Sequence, residues 1–256
     1  MKVILGIIIP FIGTTLGAFM VFFMKNTIGD VIEKILLGFA AGVMIAASVW
    51  SLLLPSIDMA ISANIIAWVP ATIGFLVGIF SLLFIHRYLS FTSFQDKYQG
   101  SNSFQKTFMM ILAVTLHNIP EGMAVGVVFA GVLSNSNLVS MAGAFSLAIG
   151  IAIQNFPEGA IISMPLKGNG MSKLKSFWYG MLSGIVEPIA AVITIFLTNI
   201  ISAILPYLLS FAAGAMIYVV VDELIPESQM GKNKNFGLIG LTFGFLIMMI
   251  LDVTFG

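Results

Sequence analysis

Eight runs of predominantly apolar residues, each about as long as a bilayer-crossing helix requires, leave this chain few ways to fold. They are Val3–Met24, Ile35–Leu54, Ile65–Ile85, Thr107–Leu133, Leu138–Leu166, Phe177–Ile201, Pro206–Ile225 and Phe236–Phe255. A hydrocarbon core ~30 Å thick takes about 20 residues to cross as a helix. Strands of a membrane barrel would alternate apolar and polar side chains, and these runs do not. Charge is scarce: 9% of the residues are Asp, Glu, Lys or Arg, against about 25% in soluble domains. The expected fold class is all-α: a polytopic membrane protein of eight transmembrane helices, forming a single domain over residues 1–256.

The basic residues orient it. Lys25 and Lys34 follow the first run, Arg87, Lys97 and Lys106 the third, Lys167, Lys173 and Lys175 the fifth, and Lys232 and Lys234 the seventh. Only Lys2 lies elsewhere. Positively charged loops stay in the cytoplasm, so both termini are expected outside, in a multi-pass protein of the cell membrane. Lys2 alone precedes the first run and no small-residue cleavage site follows, so this run reads as a retained span. The net charge of zero gives no reason to expect nucleic acid as a partner; the lipid bilayer is the expected one. Absence of cysteine excludes disulfides and thiolate metal ligands.

One segment recurs. Leu36-Leu37-Gly38-Phe39-Ala40-Ala41-Gly42-Val43-Met44-Ile45 parallels Leu208-Leu209-Ser210-Phe211-Ala212-Ala213-Gly214-Ala215-Met216-Ile217. These lie in the second and seventh runs, which cross in opposite directions. The expectation is a 3+2+3 inverted repeat, with repeat one at about 1–90, a central helix pair at about 106–166 and repeat two at about 174–256. Small-residue runs that merely permit close helix packing would give a similar pattern by chance. The shared order of Phe, Gly and Met favours a true repeat.

The central pair carries the chemistry. His117-Asn118-Ile119-Pro120-Glu121-Gly122 and Gln154-Asn155-Phe156-Pro157-Glu158-Gly159 sit inside apolar runs. A carboxylate at the centre of a membrane helix costs roughly 2.5–3.5 kcal/mol on insertion scales. His117 precedes Glu121 by four residues and Gln154 precedes Glu158 by four, which puts each pair on one helix face. The intervening proline removes an N–H and frees the carbonyl four residues back, Leu116 or Ile153. Two bent helices with such faces would make a cation site near mid-membrane. The structural alternative is a protonated acid hydrogen-bonded to a neighbouring helix, with Asn118 and Asn155 serving interhelical bonds.

Further polar positions extend the pattern. Glu187, followed by Pro188, is another acid beside an expected helix break, here freeing the carbonyl of Gly184. Asp58 beyond the second run and Asp222, Glu223 and Glu227 near the end of the seventh suggest an outer mouth and a cytoplasmic exit, or simply interfacial charges. Met44 alone would be a gap-filling core residue, and His86 beside Arg87 an interfacial anchor. Asp252 has no obvious partner.

The two phrases resemble the signature motifs of the fourth and fifth helices of ZIP (Zrt-, Irt-like) metal transporters, and the chain most resembles the prokaryotic branch. The likeness covers the whole length, including eight spans, termini outside and the 3+2+3 arrangement. It implies uptake of divalent cations into the cytoplasm, with Zn²⁺ as substrate and no cofactor. It further implies a site in which His117, Glu121, Gln154, Glu158 and Met44 bind metal. A second, adjacent site would add Asn118, Asn155 and Glu187 to the two glutamates. Gln154 stands where many relatives carry His, which broadens the expected selectivity, and carboxylate, amide and thioether donors also suit Cd²⁺, Fe²⁺ or Mn²⁺. The family likeness implies a homodimer, and one helix group sliding or rocking against the other.

Two rivals stand beside a carrier. An intramembrane metal-dependent hydrolase would also place His and Glu in membrane helices, but the chain has no His-Glu-x-x-His sequence and only two His. A passive metal channel would share every ligand.

Overall fold

In a computed structural model of the protein, the described residues are 1–23, 29–91, 103–134, 139–168, 170–200, 202–231 and 233–255. They form helices in the order α1 (Lys2–Phe19), α2 (Asp30–Ala47), α3 (Leu54–Ser62), α4 (Trp68–Phe91), α5 (Ser103–Leu133), α6 (Met141–Gly168), α7 (Lys173–Ser183), α8 (Val186–Ile200), α9 (Leu205–Val219), α10 (Ile225–Ser228) and α11 (Lys234–Phe255). No strand occurs among the described residues. In hydrocarbon only hydrogen bonds within a helix or a closed barrel satisfy the backbone, so this is the fold the apolar runs require.

Seven stretches among the described residues are long and apolar enough to cross a membrane: Lys2–Phe22, Asp30–Ser62, Trp68–Ile85, Met141–Gly168, Lys173–Leu197, Leu205–Ser228 and Lys234–Phe255. The fourth expected span corresponds to α5, of which Asn118–Leu133 is apolar but shorter. The protein is therefore a multi-pass, all-helical membrane protein.

Prolines reshape the expected boundaries of two spans, and a third breaks away from its proline. The second continues past Leu54 to Ser62, and the seventh past Ile225 to Ser228. Pro55 and Pro226 lie in the first turns of α3 and α10 and have no N–H to donate to the turn before. The carbonyls four residues before them, Ser51 and Asp222, lose their normal donor, and the ladder slips to i+5 in π-turns at Ser48–Leu53 and Val220–Leu224. The Leu54 N–H accordingly bonds the Val49 carbonyl, and the Ile225 N–H that of Val220. The sixth span is two helices, broken at Gly184-Ile185 rather than at Pro188. Pro188 sits harmlessly in the first turn of α8, and the Gly184 carbonyl is not freed: it accepts the Glu187 N–H at 3.1 Å.

The helices pack in four intimate pairs, α1 on α6, α5 on α8, α2 on α11 and α4 on α9. Close approach needs small residues, because lipid supplies no hydrophobic drive between helices. A Cβ on Gly42 would run into the backbone of Leu241 and Phe245 on α11; one on Gly78 would run into that of Phe211 and Ala215 on α9. The α2–α11 pair is also pinned at both ends. Buried Lys34 pairs with Asp30 at 3.3 Å and donates to the Met230 carbonyl, while Asn233 Nδ2 donates to Asp30 Oδ2 at 2.7 Å. At the other end Ser51 Oγ donates to Asp252 Oδ1 at 2.6 Å. Asp252, partnerless in the sequence, thus has a partner that the π-turn delivers.

Gly42→Ala tests this interlock. Overpacking typically costs 1–3 kcal/mol, so the variant's thermal unfolding midpoint in detergent should fall by several degrees. An unchanged midpoint would mean that α2 and α11 are not held backbone to backbone.

Candidate metal centre

Both signature phrases lie within continuous helices, Pro120 inside α5 and Pro157 inside α6. Their glycines set the distances. A Cβ on Gly122 would strike the backbone of Glu187, and one on Gly159 that of Thr14. Each phrase therefore places its glutamate one residue before the point where its helix touches a neighbour: α8 for Glu121, α1 for Glu158. Six of the expected residues come together here: Asn118, Glu121, Gln154, Asn155, Glu158 and Glu187 are all buried.

Three hydrogen bonds fix the cluster. Gln154 Nε2 donates to Glu121 Oε1 at 2.7 Å, a tie between α6 and α5 rather than along α6 to Glu158 as its spacing suggested. Asn118 Nδ2 donates to the Ser183 carbonyl at 3.0 Å. That carbonyl ends α7, and the N–H four residues on, at Glu187, bonds Gly184 instead, so Asn118 caps an acceptor exposed by the α7–α8 break. Thr14 Oγ1 donates to Glu187 Oε1 at 2.8 Å. Asn155 faces both Glu121 and Glu187 but makes no bond of hydrogen-bond length to either.

What is left over is mostly oxygen, together with one amide nitrogen, Asn155 Nδ2. Asn118 Oδ1, Glu121 Oε2, Gln154 Oε1, Asn155 Oδ1 and Glu187 Oε2 are all buried and have no hydrogen-bond partner among the described residues. Native proteins leave only a few such groups per hundred residues, so five on neighbouring helices call for an explanation. Glu121 and Glu187 each also feel the negative charge of Glu158, and Glu121 that of Glu187. Like charges in a low-dielectric volume repel strongly. Unsatisfied lone pairs and uncompensated negative charge are both relieved by a hard or borderline divalent cation. Among the described residues no three His, Cys, Asp or Glu side chains are grouped closely enough to hold a metal ion by themselves.

Of the remaining expected residues, Met44 lies on α2, Asp58 on α3, His117 on α5, and Asp222 and Glu223 in the π-turn after α9. The His117 side chain lies outside the described residues, although its backbone is in α5; the side chain of His86 does so too. Met44 is fully buried on α2, a helix that packs on α6, and its carbonyl accepts from Ser48 Oγ at 2.7 Å. Asp58 is exposed on α3. Asp222 is exposed and accepts from Tyr218 Oη at 3.2 Å, and Glu223 is half-buried, both in the π-turn after α9. Sequence reasoning missed Thr14 and Ser183. A hydroxyl pair, Thr14-Thr15, inside an otherwise apolar first span was the available signal for the former; a backbone acceptor such as Ser183 leaves none.

Comparison with known proteins gives the family. The family model described as ZIP zinc transporter matches residues 90–252. The chain is 35% identical to zinc transporter ZIP11 of Xenopus tropicalis, over 99% of this chain and 97% of that protein. It is 35% identical to the Homo sapiens ZIP11, over 95% and 94%, and 31% identical to zinc transporter ZIPB of Bordetella bronchiseptica, over 99% and 81%. With a matched region spanning more than half the chain and relatives aligned almost end to end, this chain belongs to the ZIP family of zinc transporters.

Proposed function

We propose that this protein carries divalent metal cations, Zn²⁺ first among them, across the cell membrane into the cytoplasm, through a centre built on Glu121, Glu158 and Glu187. The observation that carries the reading is the buried group of five oxygens without hydrogen-bond partners, set among three mutually repelling carboxylates. Two glutamates neutralise one divalent ion, which removes the largest penalty for holding it in hydrocarbon. His117, Gln154 and Met44 complete a first position, while Asn118, Asn155 and Glu187 complete a second beside it. Oxygen and imidazole donors without thiolate release metal readily and accommodate Cd²⁺, Fe²⁺ or Mn²⁺. The hydrolase alternative loses its ground because family members are transporters.

The architecture of this reading has eight spans in a 3+2+3 inverted repeat with both termini outside. The helix pairing supports it. Exchanging spans one to three with six to eight, and four with five, turns the α1–α6 pair into α8–α5 and the α2–α11 pair into α9–α4. The repeated segments each run into a π-turn followed by a proline. In this frame Asp58 lies at the outer mouth, and Asp222 and Glu223 at the cytoplasmic exit.

Proteoliposomes should take up Zn²⁺ or Cd²⁺ faster than empty vesicles; equal rates with demonstrably folded protein would sink the transport reading. Glu121→Gln or Glu158→Gln keeps side-chain shape but leaves the cation half neutralised. A loss of even ~3 kcal/mol cuts occupancy more than a hundredfold, so initial uptake at matched protein density should collapse. Near-normal uptake by either variant would make those carboxylates structural. His117→Ala should be milder, because water can replace a neutral ligand. Glu187→Gln should slow transport or change its selectivity while binding persists; complete loss of binding in the folded variant contradicts the division into two positions.

A further inference from the structure

We infer that Thr14, on the first span, is a positioning residue for metal binding that sets the direction of Glu187. Thr14 is fully buried, 173 residues away in sequence from the carboxylate it bonds. Its hydroxyl occupies Glu187 Oε1 at 2.8 Å, and only Oε2 remains without a partner among the described residues. Glu187 is thereby presented as a one-oxygen ligand with its carboxylate plane fixed. A hydroxyl has a single proton to donate; here it goes to the carboxylate rather than to the carbonyl of residue 10, a proline, which is where a helical Thr would otherwise return it. Neighbouring Thr15 does bond back within its helix, to the Phe11 carbonyl at 2.7 Å.

The packing places Thr14 where such a role is possible. Gly159 of the second signature phrase rests on the Thr14 backbone just as Gly122 of the first rests on that of Glu187. Thr14 and Glu187 therefore occupy matching positions against α6 and α5, and they bond each other across the cluster. Gly184 leaves the room for this contact: a Cβ there would lie 2.8 Å from Thr14 Cβ and 2.9 Å from Glu187 Oε1. With the bond absent, Glu187 would rotate among several orientations, and ordering it again would be charged against metal binding.

This inference rests on Glu187 belonging to the metal centre. The test is uptake kinetics in proteoliposomes for Thr14→Val, which keeps the shape and deletes the donor, and Thr14→Ser, which keeps the donor. Thr14→Val should raise the KM for Zn²⁺ about tenfold, equivalent to about 1.4 kcal/mol, with maximal rate within about twofold of the parent. Thr14→Ser should restore the parent KM. In a Glu187→Ala background, which removes the acceptor, Thr14→Val should add no further change in KM, because its effect runs through that carboxylate. If Thr14→Val does not fold, Thr14→Ala reads the same loss. A parental KM in the valine or alanine variant overturns the inference while leaving parent transport intact. So does a serine variant as impaired as the valine one, which would assign the effect to the methyl group. Failure of the parent protein itself to transport would instead overturn the assignment of the centre.

Discussion

Three glutamates, Glu121, Glu158 and Glu187, are buried on α5, α6 and α8, and the surrounding structure is shaped by the need to hold them there. Each belongs to a different helix, so if ionised together they would repel one another across the packing of those helices. Gln154 and Thr14 offset part of that by donating to Glu121 and Glu187. Neither can neutralise charge. A divalent cation can, and its binding free energy then contributes to holding α5, α6 and α8 together.

The second constraint is how closely backbones must approach. The glycine that ends each signature phrase lets α5 meet α8 at Glu187 and lets α6 meet α1 at Thr14. The same device joins α2 to α11 and α4 to α9. Two sets of helices result, α1 with α5 to α8 and α2 to α4 with α9 to α11. Hydrogen bonds at both ends of the α2–α11 pair resist sliding within it. Glu121, Glu158 and Glu187 all lie within the first set, while Met44 lies in the second, so relative motion of the two would change the position of Met44 against the three glutamates.

Much of this was legible in the residues. Apolar runs dictate membrane helices because nothing else satisfies the backbone in lipid, and the paired Glu-bearing phrases stand out because buried charge is costly. What was not legible depends on which neighbour each side chain meets. Gln154 was paired by spacing with Glu158 on its own helix, yet it reaches Glu121, because spacing describes one helix and not the next. Pro188 suggested a break, but a proline in a first turn breaks nothing, and the chain turns at Gly184 instead. The π-turns follow from Pro55 and Pro226 once helices are known to continue on both sides, which composition alone does not reveal. Thr14, lying in a span with no acid, became visible only when α1 was placed against α6.

The central claim is that the cation is held by Glu121 and Glu158 together. Anomalous X-ray scattering at the zinc edge, from crystals of the transport-competent protein grown with Zn²⁺, tests it most directly. The account predicts a peak between α5 and α6, with an oxygen of each glutamate at about 2.0–2.2 Å, the usual Zn²⁺–carboxylate distance. Strong zinc peaks elsewhere, at Asp58 or at Asp222 and Glu223 for example, with none between the two glutamates, would contradict it.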